Sequence, residues 1–303
     1  MTTHPAYRGR FAPTPSGPLH FGSIVAAAGS YADALAHGGE WHVRIDDVDP
    51  PRVVPGADDA ILRCLEALGF EWQGDVVRQG RRTDAYGTAL EQLRQVARIY
   101  PCTCSRGEIL AAGLPGVEGP RYPGTCRTGV TRPDRAPAWR LAVGGPPVVF
   151  HDDLQGEIVQ DVARATGDFV LRRADGVFSY HLACVVDDIA GGFTHVVRGA
   201  DLIDSTPRQL ILMSALGASQ PSYLHLPVAT DEAGQKLSKQ TLARPVDLSQ
   251  PAAVLMQALA FLGHPPPDEF VRATPARIWQ WIRTTWSRDR LPRARHLRLP
   301  PPS

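Results

Sequence analysis

Arg10-Phe11-Ala12-Pro13-Thr14-Pro15-Ser16-Gly17-Pro18-Leu19-His20-Phe21-Gly22-Ser23 is the stretch that decides the fold. A short strand, Arg8 to Ala12, runs into a turn built from proline and glycine, and an alanine-rich helix begins near Ser23 and ends at Gly38-Gly39. A strand feeding a helix through a tight loop aims backbone N–H groups and a helix N-terminus at one spot, which makes an anion site. Open α/β sheets bind their ligands at that end of the strands. Gly22 lets a charged or flat ligand approach the backbone, and a neutral His20 can donate to a phosphate oxygen. Taken alone, the same residues also read as a proline-rich turn with a satisfied histidine.

The pattern outward from this turn is alternating. Trp41, Val43 and Ile45 alternate with polar residues and predict a strand over Glu40 to Asp46. Helices are predicted over Ala57 to Leu68, closed by Gly69, and over Thr83 to Arg98. Strand, helix, strand, helix is the signature of a parallel α/β sheet with right-handed crossovers. The first half of this domain spans 1–99. From Tyr100 to about Arg135 the chain turns rich in Cys, Gly, Pro and Arg, which reads as an insertion over 100–135. The sheet pattern resumes over 136–240. Asp175-Gly176 forms a hairpin-like turn, Thr194 to Arg198 a strand, Thr206 to Leu216 a helix, and His225 to Ala229 a strand that leads into a loop. Residues 241–303 hold two helical pieces, Ala252 to Leu262 and Arg277 to Trp286, and an Arg/Pro-rich tail that reads as frayed.

Composition narrows the function classes. The chain has 303 residues, 43% of them apolar and 21% charged, enough for a substantial core and against wholesale disorder. A formal net charge of +1 means that any nucleic-acid surface is a local patch. No apolar run reaches the 18 residues of a membrane span, and the polar start carries no signal peptide. Five cysteines in such a chain predict a reducing, cytoplasmic setting. Cys64 on an apolar helix face and Cys184 in an apolar strand read as core.

Lys236-Leu237-Ser238-Lys239-Gln240 supplies the second signal. Two lysines three residues apart in a loop can reach one polyphosphate as mobile point charges. An isolated loop of this kind is ordinarily solvated. Paired with the early histidine-glycine turn, it resembles the two signatures of class I aminoacyl-tRNA synthetases. The glutamyl branch fits in particular, with Ser23 in place of the second histidine. Val43-Arg44-Ile45-Asp46-Asp47-Val48-Asp49, Tyr180-His181-Leu182-Ala183, Val185-Val186-Asp187-Asp188 and Val197-Arg198-Gly199-Ala200-Asp201-Leu202 resemble that branch in the same order. The resemblance runs from Arg8 to about Gln240. It implies a Rossmann-type catalytic domain that activates L-glutamate with ATP and Mg²⁺. It implies a glutamate site of Arg10, Phe11, Ala12, Pro13, Thr14, Asp46, Tyr180 and Arg198. It also implies ATP contacts from His20, Gly22 and Lys239, and catalysis by His20, Lys236 and Lys239. An arginine gripping a carboxylate by two parallel bonds suits such a substrate. Thr14 stands where serine is usual, and Asp46 where glutamate is usual, one methylene shorter.

Cys102-x-Cys104 and Tyr122-x-x-x-Cys126 mark the insertion. Three thiolates in a segment poor in apolar residues suit a structural metal, because binding supplies folding energy. The residues themselves leave the fourth ligand open, since the segment has no histidine and a phenolate is not a usual zinc donor. The pattern resembles one subfamily, the glutamyl-queuosine tRNA(Asp) synthetases, and that resemblance implies Zn²⁺ held by Cys102, Cys104, Tyr122 and Cys126. Beyond Gln240 there is room for a small helical segment only. That suits the subfamily, which lacks an anticodon-binding domain and modifies the anticodon stem-loop of tRNA(Asp), here as a predicted monomer. Rival expectations are a truncated glutamyl-tRNA synthetase charging the 3′ end of tRNA(Glu), a non-catalytic tRNA-binding paralogue, and a ligase with a small-molecule acceptor.

Overall fold

The computed structural model describes residues 6–231 and 246–299. Strand β1 (Arg8–Phe11) leads to helix α1 (Phe21–Ala36), followed by β2 (Glu40–Ile45), a 3₁₀ turn at Pro50–Arg52, α2 (Ala57–Ala67), β3 (Val77–Arg78) and α3 (Thr83–Val96). β4 (Ile99–Cys102), α4 (Arg106–Ala111) and β5 (Ala138–Leu141) carry the insertion. There follow β6 (Val148–Asp152), β7 (Gly156–Gln160), α5 (Val162–Ala165), β8 (Phe169–Arg172), α6 (Tyr180–Ala190), β9 (His195–Gly199), α7 (Thr206–Ala215) and β10 (Ser222–Leu226). The last elements are β11 (Val228–Thr230), α8 (Pro251–Phe261), α9 (Pro275–Thr285) and β12 (His296–Arg298).

β1 pairs parallel with β2, and β2 with β3. β9 and β6 flank β10, both parallel to it, and β7 returns antiparallel on β6. The two groups meet where the Thr194 amide donates to the Arg8 carbonyl at 2.9 Å, so β1 lies beside β9. This is the parallel Rossmann-type arrangement that the alternating strands and helices predict. Ligand chemistry belongs where β1 and β9 diverge, at their carboxyl ends. A separate antiparallel sheet, β4-β5-β8, carries the cysteine-bearing segment.

Two cores cover the two faces of the parallel sheet. One gathers Ile24, Tyr31, Trp41, Leu226, Leu259, Ile278 and Trp279. The other gathers Tyr86, Leu93, Phe150, Leu182, Val196, Leu212 and Tyr223. A fully buried side chain such as Ile24 contributes roughly 2–3 kcal/mol. Gly29 sits in α1 because a Cβ there would lie 2.4 Å from Leu226 Cδ1, so the helix could not approach the sheet as closely. Gly69 ends α2 at φ +70°, where a side chain would also meet Pro275 Cβ at 2.8 Å. Among the described residues no helix is long and apolar enough to cross a membrane.

Three expectations need correction. Helix α1 starts at Phe21, before Ser23, because His20 is its N-cap: Nδ1 accepts the Ser23 amide at 3.4 Å. Cys184 lies in helix α6, not in a strand, and its thiol donates to Asp188 at 3.6 Å. The apolar run around it is the buried face of a helix. The tail is not frayed through Leu299. Arg288 holds Asp33 at 2.7 Å and Asp153 at 2.5 Å, and β12 pairs parallel with β11. Pro227 explains a further difference, in the strand over His225 to Ala229. Proline has no amide for the ladder, so β10 ends at Leu226 and β11 begins at Val228 with a new partner.

Candidate active site

A cavity of about 650 Å³ opens at the carboxyl ends of β1, β9 and β10. One wall is Arg10 to Thr14. Another is the turn and first helical turns through Ser16, His20, Gly22, Ser23 and Ala26. Tyr180, Val197, Arg198, Asp201 and the run Leu226 to Ala229 close the other side, and Arg52 stands at the edge. The structure thus gathers Arg10, Phe11, Ala12, Pro13, Thr14, His20, Gly22, Tyr180 and Arg198 around one space. Lys236 and Lys239 lie outside the described residues.

Asp46 is not among the lining residues. Its amide donates to the Pro13 carbonyl at 2.9 Å, so it stands directly behind the wall. Its carboxylate accepts Arg44 Nε at 2.6 Å. Burial pushes the Asp46 pKa up, and the pull of Arg44 does not cancel that. Arg44 Nη1 also donates to Asp188 at 2.5 Å, and Arg10 grips Asp188 with Nε and Nη2, both at 3.1 Å. Burial alone would raise Asp188, but Arg10 and Arg44 outweigh it and hold its pKa well below the usual carboxylate range. Arg10, Arg44, Asp46 and Asp188 are all buried, so this is a closed ion network that meets the cavity at Arg10.

Arg198 is built differently. It is 6% exposed, yet none of its hydrogen-bond acceptors among the described residues is a carboxylate. Nε donates to His225 Nε2 at 3.1 Å, and Nη2 donates to Thr206 Oγ1 and Gln209 Oε1, each at 2.8 Å. Nη1 is buried with no partner. A buried cation with an unmet donor beside a cavity can receive an anion. Sequence reasoning named Arg198 but missed His225, Thr206, Gln209, Arg44 and Asp188. Only the strand order brings His225 to Arg198. Arg44 and Asp188 sat inside the quoted motifs without a role.

His20 caps α1 through the Nδ1 lone pair, so in the neutral ring Nε2 carries the proton. That N–H lies 3.2 Å from Ser23 Oγ, and the N-terminus of α1 beside it is a place where an anion can bind.

In the insertion, the sulfurs of Cys102, Cys104 and Cys126 lie within 4.8 Å of one another, with Cys104 and Cys126 3.6 Å apart. Sulfurs around a tetrahedral zinc, each ~2.3 Å from the ion, lie roughly 3.8 Å apart, so the group can hold a metal. The Tyr122 hydroxyl lies 3.3 Å from Cys102 Sγ and 3.8 Å from Cys104 Sγ, and accepts the Cys126 amide at 2.8 Å. Burial pushes the Cys104 thiol up to about 11. It would raise Cys126 too, but the Thr103 and Thr131 amides outweigh it and bring that thiol down to about 6.

Comparison with known proteins matches this geometry. The model of class I tRNA synthetases (E and Q), catalytic domain, matches residues 6–272. The solved glutamate-tRNA synthetase of Elizabethkingia anophelis superposes with a TM-score of 0.80 at 24% identity, covering 98% of this chain and 68% of that one. A glutamate tRNA ligase from Elizabethkingia meningosepticum, solved with its amino acid, gives 0.78 at 23% identity and covers 67% of that chain. Fold and family model define a class I synthetase catalytic domain. Within that class, a Glutamyl-Q tRNA(Asp) synthetase from Dechloromonas aromatica is 52% identical over 296 residues, 97% of this chain and 98% of the relative. One from Chromobacterium violaceum is 53% identical over 294 residues, with the same coverage. This chain belongs to the Glutamyl-Q tRNA(Asp) synthetase family.

Proposed function

We propose that this chain activates L-glutamate with ATP and transfers the glutamyl group to the queuosine base in the anticodon of tRNA(Asp). Arg198 carries the reading: a buried guanidinium with an unmet Nη1 beside a cavity calls for a carboxylate ligand. The acceptor rests on the likeness, over 98% of their length, to the Glutamyl-Q tRNA(Asp) synthetases of Dechloromonas aromatica and Chromobacterium violaceum.

In this reading Arg198 and Tyr180 take the side-chain carboxylate of glutamate, and Phe11 to Thr14 shape the wall. Asp46 balances the α-ammonium from behind it, directly or through a water. The α-carboxylate oxygen attacks the α-phosphorus of ATP. The bond to the β-phosphate oxygen breaks and pyrophosphate leaves. His20, Gly22, Lys236 and Lys239, with Mg²⁺, hold the phosphates, so catalysis is positioning plus charge neutralisation. An acceptor hydroxyl then attacks the acyl carbon and AMP departs. Cys102, Cys104, Cys126 and Tyr122 would hold Zn²⁺, whose part is to brace the insertion, away from the chemistry. The enzyme works as a monomer in the cytoplasm, where thiols stay reduced.

The test is incubation with labelled glutamate, ATP and tRNA(Asp), with and without queuosine. Label is expected only on queuosine-containing tRNA and should persist on tRNA from which the 3′-terminal adenosine has been removed. Labelling that requires an intact 3′ end would replace this reading with conventional charging. No glutamate-dependent ATP–pyrophosphate exchange would make the chain a non-catalytic binder.

A further inference from the structure

We propose that Asp152 and His225 are positioning residues: they fix one imidazole tautomer so that Arg198 is held by neutral acceptors and aims its unpartnered Nη1 at the ligand. The proposal rests on the reading that Arg198 receives the glutamate side-chain carboxylate. Strands β6, β10 and β9 lie side by side and carry Asp152, His225 and Arg198 respectively, with His225 and Arg198 in direct register. Asp152 and His225 are fully buried.

The proton positions follow from donor arithmetic. Arginine has only donors, so His225 Nε2, 3.1 Å from Arg198 Nε, must present its lone pair. The ring proton therefore sits on Nδ1, 2.6 Å from Asp152 Oδ2. Asp152 Oδ1 accepts the Leu154 and Gln155 amides at 3.1 and 2.8 Å, so both oxygens act as acceptors. Burial pushes His225 down to about 4, against the pull of Asp152, and Arg198 lowers it further. The geometry and the lowered pKa agree on a neutral ring near pH 7.

The arrangement solves a charge problem. A carboxylate placed directly on Arg198 would satisfy the guanidinium and compete with the substrate. A bare guanidinium without acceptors would be costly to bury. Here the counter-charge of Asp152 stands one imidazole away. Arg198 Nε and Nη2 are satisfied by uncharged groups, and Nη1 with the full positive charge is left for the ligand. Such a site favours a carboxylate over the neutral amide of glutamine.

The variants are Asp152→Asn, His225→Leu and His225→Gln, read by steady-state ATP–pyrophosphate exchange and by imidazole ¹⁵N shifts. In Asp152→Asn the amide oxygen keeps the Leu154 and Gln155 amides, and its NH₂ faces Nδ1 and the His225 backbone amide, which lies 3.1 Å from Oδ2 in the native protein. The proton is then forced to Nε2, donor against donor with Arg198. We expect the His225 nitrogens to exchange shift patterns and the glutamate KM to rise roughly 10- to 100-fold, with the ATP KM within about twofold. His225→Leu should raise the glutamate KM similarly. His225→Gln, which retains an acceptor, should recover most of the loss. If the leucine variant fails to fold, the other two carry the test. Folded Asp152→Asn with an unchanged glutamate KM, or with both KM values raised together, overturns the relay. Arg198→Ala separates the layers: if it leaves the glutamate KM unchanged, the pocket reading itself falls. If it raises that KM while Asp152→Asn does nothing, only the relay falls.

Discussion

Arg10 and Arg198 line the same cavity, both almost fully buried, and their surroundings are opposite. Arg10 grips Asp188 with two bonds, and Asp188 shares Arg44 with Asp46. Two cations meet two anions, and the group is closed. Arg198 meets a neutral imidazole, a hydroxyl and an amide oxygen, and keeps Nη1 spare. The contrast separates two uses of a buried charge. A paired charge ties β1, β2 and α6 together, and removing one member leaves the others stranded. An unpaired charge contributes little to the fold and is left able to bind a ligand.

The comparison can be broken most readily at Asp188. Asp188→Ala leaves Arg10 and Arg44 without their shared partner and should cost about 3–5 kcal/mol of stability, measured by urea unfolding. A loss below about 1 kcal/mol would mean that the network is not structural. Acid is the next probe. The His225 pKa lies at about 4 in the fold, below the ordinary 6.5, so the unfolded chain takes up that proton first. Its contribution is whole above about pH 6.5 and is lost as pH falls through 4, about 3 kcal/mol in all. Burial would raise the Asp152 pKa, but its bonds to His225 and the backbone hold it below 3.8, so its own loss comes only at lower pH. The melting temperature should fall across this window, and His225→Gln should flatten the fall. A smaller effect is expected at Thr206. Thr206→Val keeps the volume and removes one acceptor from Arg198, which should weaken glutamate binding by about 1 kcal/mol, near fivefold in KM. The smallest concerns Arg198 itself. Arg198→Ala should change the unfolding free energy by less than about 1 kcal/mol while raising the glutamate KM at least as far as Asp152→Asn does. A stability loss as large as that of Asp188→Ala would erase the distinction between the two arginines.

Much of the fold was legible because it is written locally. The alternation around Trp41, Val43 and Ile45, the glycine stops at Gly38-Gly39 and Gly69, and the proline-glycine turn before His20 each speak for their own element. The grouping of Cys102, Cys104 and Cys126 was legible for the same reason. What failed was non-local. His225 meets Asp152 across 73 positions and Arg198 across 27, and no window of sequence contains both ends. The tail looked solvated because Asp33, which anchors Arg288, lies 255 positions away. Cys184 was misplaced for a different reason. Leu182 to Val186 is apolar enough for a buried strand, and only the spacing of Cys184 and Asp188, four apart on one face, signals a helix.

The pairing of β11 with β12 reaches further than the tail it orders. Val228 and Ala229 border the cavity, and their partners in the ladder are His296 and Leu297. A fluorophore or spin label near residue 296 would therefore sit one strand from the reaction space while touching none of its chemistry. It would make a distance gauge for ligand entry. By the same geometry, a purification tag appended after that strand risks crowding the enzyme's working end, whereas one placed before Tyr7 meets the amino end of β1, on the far side of the sheet.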